Sequence, residues 1–248
     1  MLVPVQQRLK KQPLLRLLSK LATTNEQAIS VYIPKSLPLA DIENTLGVVL
    51  NEKQILPGIV SDIAKSTTGA ALYWGEQYKY LVLPPFPMAE NLILQGYDVG
   101  LLRSLMEQDI TIALVLVRMG AYAIGVFQRE SLVSSKVGTG LVHSRHKKGG
   151  SSAHRFERHR DKQIEYFFSR VCAHTREKLE PHLQRLDYLY YGGENFTIRS
   201  FREQCQFLKK LDNRTAEVLL NVREPKQASL EVAIGEVWSS QVIQFQED

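Results

Sequence analysis

The spacing of hydrophobic positions changes several times along the chain, and each change marks an element. From Val5 to Leu21 apolar residues return every three or four positions between Lys, Arg and Gln, the pattern of an amphipathic helix. Residues 28–33 (AISVYI) form a β-branched run ended by Pro34, and predict a strand. Pro38 to Lys65 mixes three- and four-residue spacing, which predicts one or two helices. Residues 69–74 and 79–83 flank Gly75-Glu76-Gln77-Tyr78 as a hairpin, and the prolines from Pro84 end it. A short helix follows over 99–108, with LLRSLM as its apolar face. Together these make a small α+β module.

Near Gln108 the pattern shifts. Residues 110–117 (ITIALVLV) are apolar without interruption, and Tyr122 to Phe127 returns after a turn at Arg118-Met119-Gly120-Ala121. A strand apolar on both faces belongs at the centre of a sheet. Residues 130–142 read as a further extended stretch, followed by a long helix stopped by Pro181. Strands at 186–191, 217–222 and 242–245 then alternate with helices at 197–209 and 226–239. Such alternation predicts an α/β layer sandwich. The expected fold class is therefore α/β, with an α+β domain over 1–108 and a sheet with packed helices over 109–248.

Charge sharpens the picture. The 248 residues carry 31 Lys and Arg against 26 Asp and Glu, a net of +5. The twenty residues from His143 to Lys162 hold seven bases and two acids, so this one segment accounts for the whole excess. Four of the six histidines also lie there. No stretch reaches the roughly 18 apolar residues of a membrane span. The basic, interrupted N-terminus lacks the apolar core and cleavage site of a signal peptide. Cys172 and Cys205 form no metal or redox motif, and two thiols make no disulfide framework, so a reducing cytoplasm is the expected setting.

Within the basic segment, Gly149-Gly150 between cations predicts an exposed flexible loop. Ser152 is placed to cap a helix that runs to about Glu180. At about 100° per residue, Arg158, His159 and Lys162 fall within about 60° of Arg155, whereas Phe156, Ile164, Phe167, Phe168 and Val171 share the opposite face. Arg160 falls among the apolar residues, where it needs a carboxylate or carbonyl partner; Phe156, Phe167 and Phe168 are expected in the core. A glycine loop, a helix N-terminus and the cations Arg145, Lys147, Lys148, Arg155, Arg158 and Lys162 suit phosphate or nucleic acid. A solvated charge run on a surface helix is the plainer alternative, weakened by the concentration of charge beside glycines. His143 and His146 have metal-pair spacing but no third ligand, so no metal and no cofactor is expected.

Residues 149–160 (GGSSAHRFERHR) resemble the signature of the archaeo-eukaryotic class I peptide release factors, Gly-Gly-Gln-Ser-Ala-x-Arg-Phe-x-Arg-x-Arg. Gly149, Gly150, Ser152, Ala153, Arg155, Phe156, Arg158 and Arg160 match it, and Ser151 stands at the glutamine. The strand pair from Ile110 and the sequence LYYGGENFTIRSFREQ also resemble the family's middle domain, and residues 69–88 with the short helix after them resemble the end of its amino-terminal domain. Tyr191-Gly192-Gly193-Glu194-Asn195 is then expected to be a structural turn. The codon-reading portion has no room in the roughly 35 residues between Pro34 and Gly69, and no carboxy-terminal partner-binding domain is expected. The chain is thus similar to shortened bacterial relatives, themselves similar to the quality-control factors that free nascent chains from stalled large subunits.

The resemblance implies a cytoplasmic factor that hydrolyses peptidyl-tRNA at the peptidyl transferase centre of the large ribosomal subunit, without reading a codon and without contact to DNA or membrane. Gly149, Gly150, Ser151 and His143 would carry the chemistry. In some shortened relatives the active glutamine lies on the strand entering the loop, near the position of His143, and a histidine there can exchange protons near neutral pH. Two other readings share the same residues: cleavage of the tRNA acceptor end with His143 as acid or base, and RNA binding without catalysis after loss of the glutamine.

Overall fold

The computed structural model describes residues 2–50, 56–142 and 153–247. In chain order the elements are β1 (Leu2–Leu9), α1 (Lys11–Ala22), β2 (Ala28–Ile33), α2 (Leu39–Val49), α3 (Leu56–Ala64), β3 (Ala70–Gly75), β4 (Lys79–Leu83), β5 (Leu92–Gln95) and α4 (Gly100–Glu107). They continue with β6 (Thr111–Arg118), β7 (Ala121–Gln128), β8 (Ser131–Thr139), α5 (Ala153–Leu179), β9 (Leu186–Gly193), α6 (Asn195–Gln204), β10 (Thr215–Leu220), α7 (Gln227–Val237) and β11 (Ser240–Glu247). Two compact units result, one of residues 1–108 with 235–248, the other of residues 109–234.

The first unit is built on a six-stranded sheet in the order β1-β11-β4-β3-β2-β5, with every pairing antiparallel. Side chains alternate between its faces. Val31, Ile33, Ala70, Leu72 and Trp74 join Ile42 and Leu46 of α2 and Ile59, Val60 and Ile63 of α3 in one core. Tyr32 and Tyr73, of the other parity, meet on the second face, where Tyr32 donates to the Asp98 carbonyl at 2.6 Å just before α4. Two expectations fail in this unit. Residues 2–9 form a strand rather than the start of a helix, because they pair in continuous register with 240–247, from Leu2 opposite Glu247 to Leu9 opposite Ser240. That pairing satisfies the backbone over eight residues and outweighs a local helical period; Pro4 is tolerated because the strand lies at a sheet edge. The closing strand, expected in the second module, consequently lies in this first sheet. Its Ile243 and Phe245 complete the core around Trp74.

The second unit has a five-stranded sheet in the order β10-β9-β6-β7-β8. The β10–β9 and β9–β6 pairs are parallel, and β6–β7–β8 is an antiparallel meander. As the apolar run predicts, β6 is central, and Ile112 to Val117 are wholly buried. Ala113, Val115, Val117, Tyr122, Ile124 and Val126 face α5 and α6, meeting Phe167, Phe168, Val171, Ile198 and Phe201. Burying each large apolar side chain contributes roughly 1.5–3 kcal/mol of transfer free energy. On the other face Leu230 of α7 lies over Gly125, where an added Cβ would come within 3.1 Å of it. Cys172 of α5 and Cys205, just past α6, form a disulfide with Cα atoms 5.4 Å apart. This corrects the expectation of two unlinked thiols. The two cysteines are 33 residues apart in sequence, but the packing of α6 on α5 brings them together, a tertiary effect that counting cysteines does not register.

Candidate functional site

The segment that carries the predicted chemistry leaves the sheet at β8 and returns as α5. Its outgoing leg is held by close packing. A Cβ added at Gly138 would come within 2.3 Å of the Tyr122 hydroxyl oxygen, and one at Gly140 within 2.5 Å of Phe167 Cδ2, so only hydrogen fits at either place. The Gly140 amide donates to the Gly120 carbonyl at 2.9 Å, and Arg170 donates to the carbonyl of Thr139. Val142 still packs on the core, whereas Leu141 is 73% exposed. His143, Arg145, Lys147, Lys148, Gly149, Gly150 and Ser151 lie outside the described residues, as does the expected cap Ser152.

The returning leg, α5, is 27 residues or about 40 Å long. Its two halves sit differently. From Phe167 onward it is clamped to the sheet: Phe167 lies against Tyr122, and the His174 ring stacks on the same tyrosine at 5.8 Å. Tyr122 is the second residue of β7, so this contact marks the sheet's end. Nothing between Arg155 and Tyr166 is fully buried; Ile164 still packs on the core, and the helix ahead of it runs past the sheet's end. Arg155, Arg158 and Lys162 are exposed there, with His159 beside them. The same geometry corrects two expectations. Phe156 is 58% exposed rather than core, and Arg160 is half-buried rather than interior, because the sheet does not extend beneath them. Phe167 and Phe168 are buried, as expected.

At its far end the helix carries carboxylates beside cations. Glu177 is held below the usual carboxylate range by hydrogen bonds from His174 and then Lys178, and Glu180 by the guanidinium of Arg176. These groups are remote in sequence from the glycines.

The Tyr191-Gly192-Gly193-Glu194-Asn195 sequence, expected as a turn, is instead the last three residues of β9, the cap Glu194 and the first residue of α6, at the end of β9 that lies beside the end of β6. Gly193 has φ +132°, and a Cβ there would stand 2.1 Å from the Val117 carbonyl oxygen. Glu194 pairs with Arg118, whose other guanidinium nitrogen donates to the Val222 carbonyl at 3.2 Å. The fork of Arg118 thus ties three chain segments together where β6 and β9 end. Sequence reasoning misses this link, and it misses the bracing of the loop's base by Tyr122 and Arg170; the paired glycines at 138 and 140 are the local signal. Among the described residues, no cluster of three or more His, Cys, Asp or Glu is placed to hold a metal, and no helix is long and apolar enough to cross a membrane.

A model of the Actinobacteria/chloroflexi VLRF1 release factors matches residues 110–243. The chain belongs to this family. The VLRF1 match takes in the β6–β7 hairpin, the glycine segment, α5 and the Gly192-Gly193 end of β9. Over 201 residues the chain is 24% identical to peptide chain release factor subunit 1 of Aeropyrum pernix, covering 70% of this chain and 54% of that protein. It therefore spans about half the length of the curated relative it matches. Among solved structures it is similar to an archaeal translation termination factor, aRF1, with 19% identity, 93% of this chain and 73% of that chain covered, and a TM-score of 0.42. Archaeoglobus fulgidus Pelota gives 14% identity, coverage of 86% and 65%, and a TM-score of 0.29.

Proposed function

We propose that this VLRF1 release factor is a ribosome rescue factor that frees nascent chains by hydrolysing peptidyl-tRNA on stalled ribosomes or large subunits, independently of a codon. The observation that carries the reading is the position of Gly149-Gly150 ahead of a half-helix that outruns its sheet and displays cations. In this reading residues 109–234 are the catalytic unit and residues 1–108 a shortened amino-terminal domain. Arg155, Arg158 and Lys162, with Arg145, Lys147 and Lys148, pair with phosphates of ribosomal RNA or tRNA in the cytoplasm. The glycines let the backbone approach the ester closely, and a backbone N–H stabilises the oxyanion. Ser151 orients a water, and His143 takes its proton. The water oxygen bonds the ester carbon, the bond to the ribose oxygen breaks, and the proton goes to that oxygen.

The test is peptide release from isolated large subunits loaded with peptidyl-tRNA. Wild type releases peptide, and Gly149→Ala and Gly150→Ala abolish release. Released tRNA with intact CCA ends supports ester hydrolysis, whereas shortened 3′ ends would establish acceptor-end cleavage instead. Binding without either product would leave a non-catalytic RNA-binding protein.

A further inference from the structure

The exposed half of α5 carries an aromatic side chain in line with its cations. With Arg155 at zero and about 100° per residue, Arg158, His159, Lys162 and Tyr166 all fall within about 60°. Tyr166 is 71% exposed, although the next residue, Phe167, is buried. Arg155, His159, Lys162 and Tyr166 make no hydrogen bond, ion pair or ring contact among the described residues. Glu157 and Asp161 lie well off the row, and Glu165 borders it. From Arg155 to Tyr166 the row is about 16 Å long.

Cations on one track with an exposed ring make up the set that holds single-stranded nucleic acid. The charges follow the phosphates and the ring stacks on a base. A base inside a duplex has both faces covered by its neighbours and offers no face to a tyrosine. We propose that Tyr166 stacks on an unpaired nucleotide of RNA whose phosphates pair with Arg155 and Lys162. This rests on the ribosomal reading above and narrows its target to a place where RNA is unpaired. Exposure, with no ring contact or hydrogen bond among the described residues, leaves the ring open to stack.

The experiment measures binding of the full chain to vacant large ribosomal subunits over a range of salt, for wild type, Tyr166→Ala, Tyr166→Phe and Arg155→Ala. Loss of one stack weakens binding roughly ten- to a hundredfold in Tyr166→Ala, while Tyr166→Phe binds as wild type does. The salt slope stays at the wild-type value in Tyr166→Ala and falls by about one in Arg155→Ala, because only the arginine releases a counterion. Unchanged melting temperatures show that folding is intact. Wild-type affinity in Tyr166→Ala overturns the proposal, as does equal loss in Tyr166→Phe, which would assign the effect to the hydroxyl. A wild-type salt slope near zero would indicate a protein surface and overturn it too. If this binding pattern holds but no peptide is released, the stacking stands and only the hydrolytic reading falls.

Discussion

Gly140 faces Phe167 so closely that a methyl group on the glycine would stand 2.5 Å from the ring carbon Cδ2. The two residues hold together the strand that leaves the sheet and the helix that returns to it, on either side of the segment with the predicted chemistry. Their fit fixes where both legs start.

Gly140→Ala forces the Phe167 ring or the strand to move, and overpacking of this kind costs about 1–3 kcal/mol. Phe167→Ala leaves a cavity and costs about 3–5 kcal/mol. Because the two share one contact, the double variant is less destabilised than the sum of the singles. Urea unfolding of the three variants measures this coupling, and additive losses would show that the contact does not join the two legs.

Arg155→Ala and Lys162→Ala separate charge from stability. Both side chains are exposed on the half of α5 that has left the sheet, so each variant stays within about 0.5 kcal/mol of wild type in denaturant. Affinity for large subunits nevertheless falls, with a loss that shrinks as salt rises. If melting temperature fell in step with affinity, these cations would be structural.

Much of this architecture is legible in the amino-acid sequence, for reasons that differ by element. The centrality of β6 follows from its unbroken apolar run, and the length of α5 from its period and from Pro181. Residues 2–9 defeat a local reading because their partner lies more than 230 positions away, and helical spacing is a local signal. Phe156 is misplaced by periodicity because a helical phase gives the face of a residue but not whether a sheet lies beneath it at that height. Tyr166 escapes notice for the converse reason: its phase places it on the basic face, but only the fold shows how exposed it is. The site's charge is readable residue by residue. Its bracing by Tyr122, Arg170 and Arg118 depends on contacts that no window of sequence contains.

The Cys172–Cys205 link closes a loop of 33 residues that includes all of β9 and α6. Its loss is expected to lower stability by about 3–4 kcal/mol through the entropy of the unfolded chain. The surrounding core of Phe168, Val171 and Phe201 is untouched by reduction, so the reduced protein remains folded with a lower melting temperature. Thermal unfolding with and without dithiothreitol, alongside Cys172→Ser, measures the difference. A melting temperature indifferent to reductant, with two titratable thiols in the native protein, would show that the pair is not bonded in solution.

Gly193 and Gly96 form a natural control pair for the end of β9. Both have positive φ, +132° and +76°, so an L side chain is strained at either position. Around Gly96 nothing lies within 4 Å of an added Cβ, and Gly96→Ala is expected to cost about 1 kcal/mol from the backbone alone. At Gly193 the same methyl would meet the Val117 carbonyl oxygen at 2.1 Å, an atom held in the β6–β9 ladder. Gly193→Ala must therefore separate the two strand ends and disturb the Arg118–Glu194 pair, with an expected loss of more than about 3 kcal/mol. Denaturant midpoints of the two variants decide the matter. Equal midpoints would mean that the strand ends yield without cost and that Gly193 does not anchor this end of the sheet.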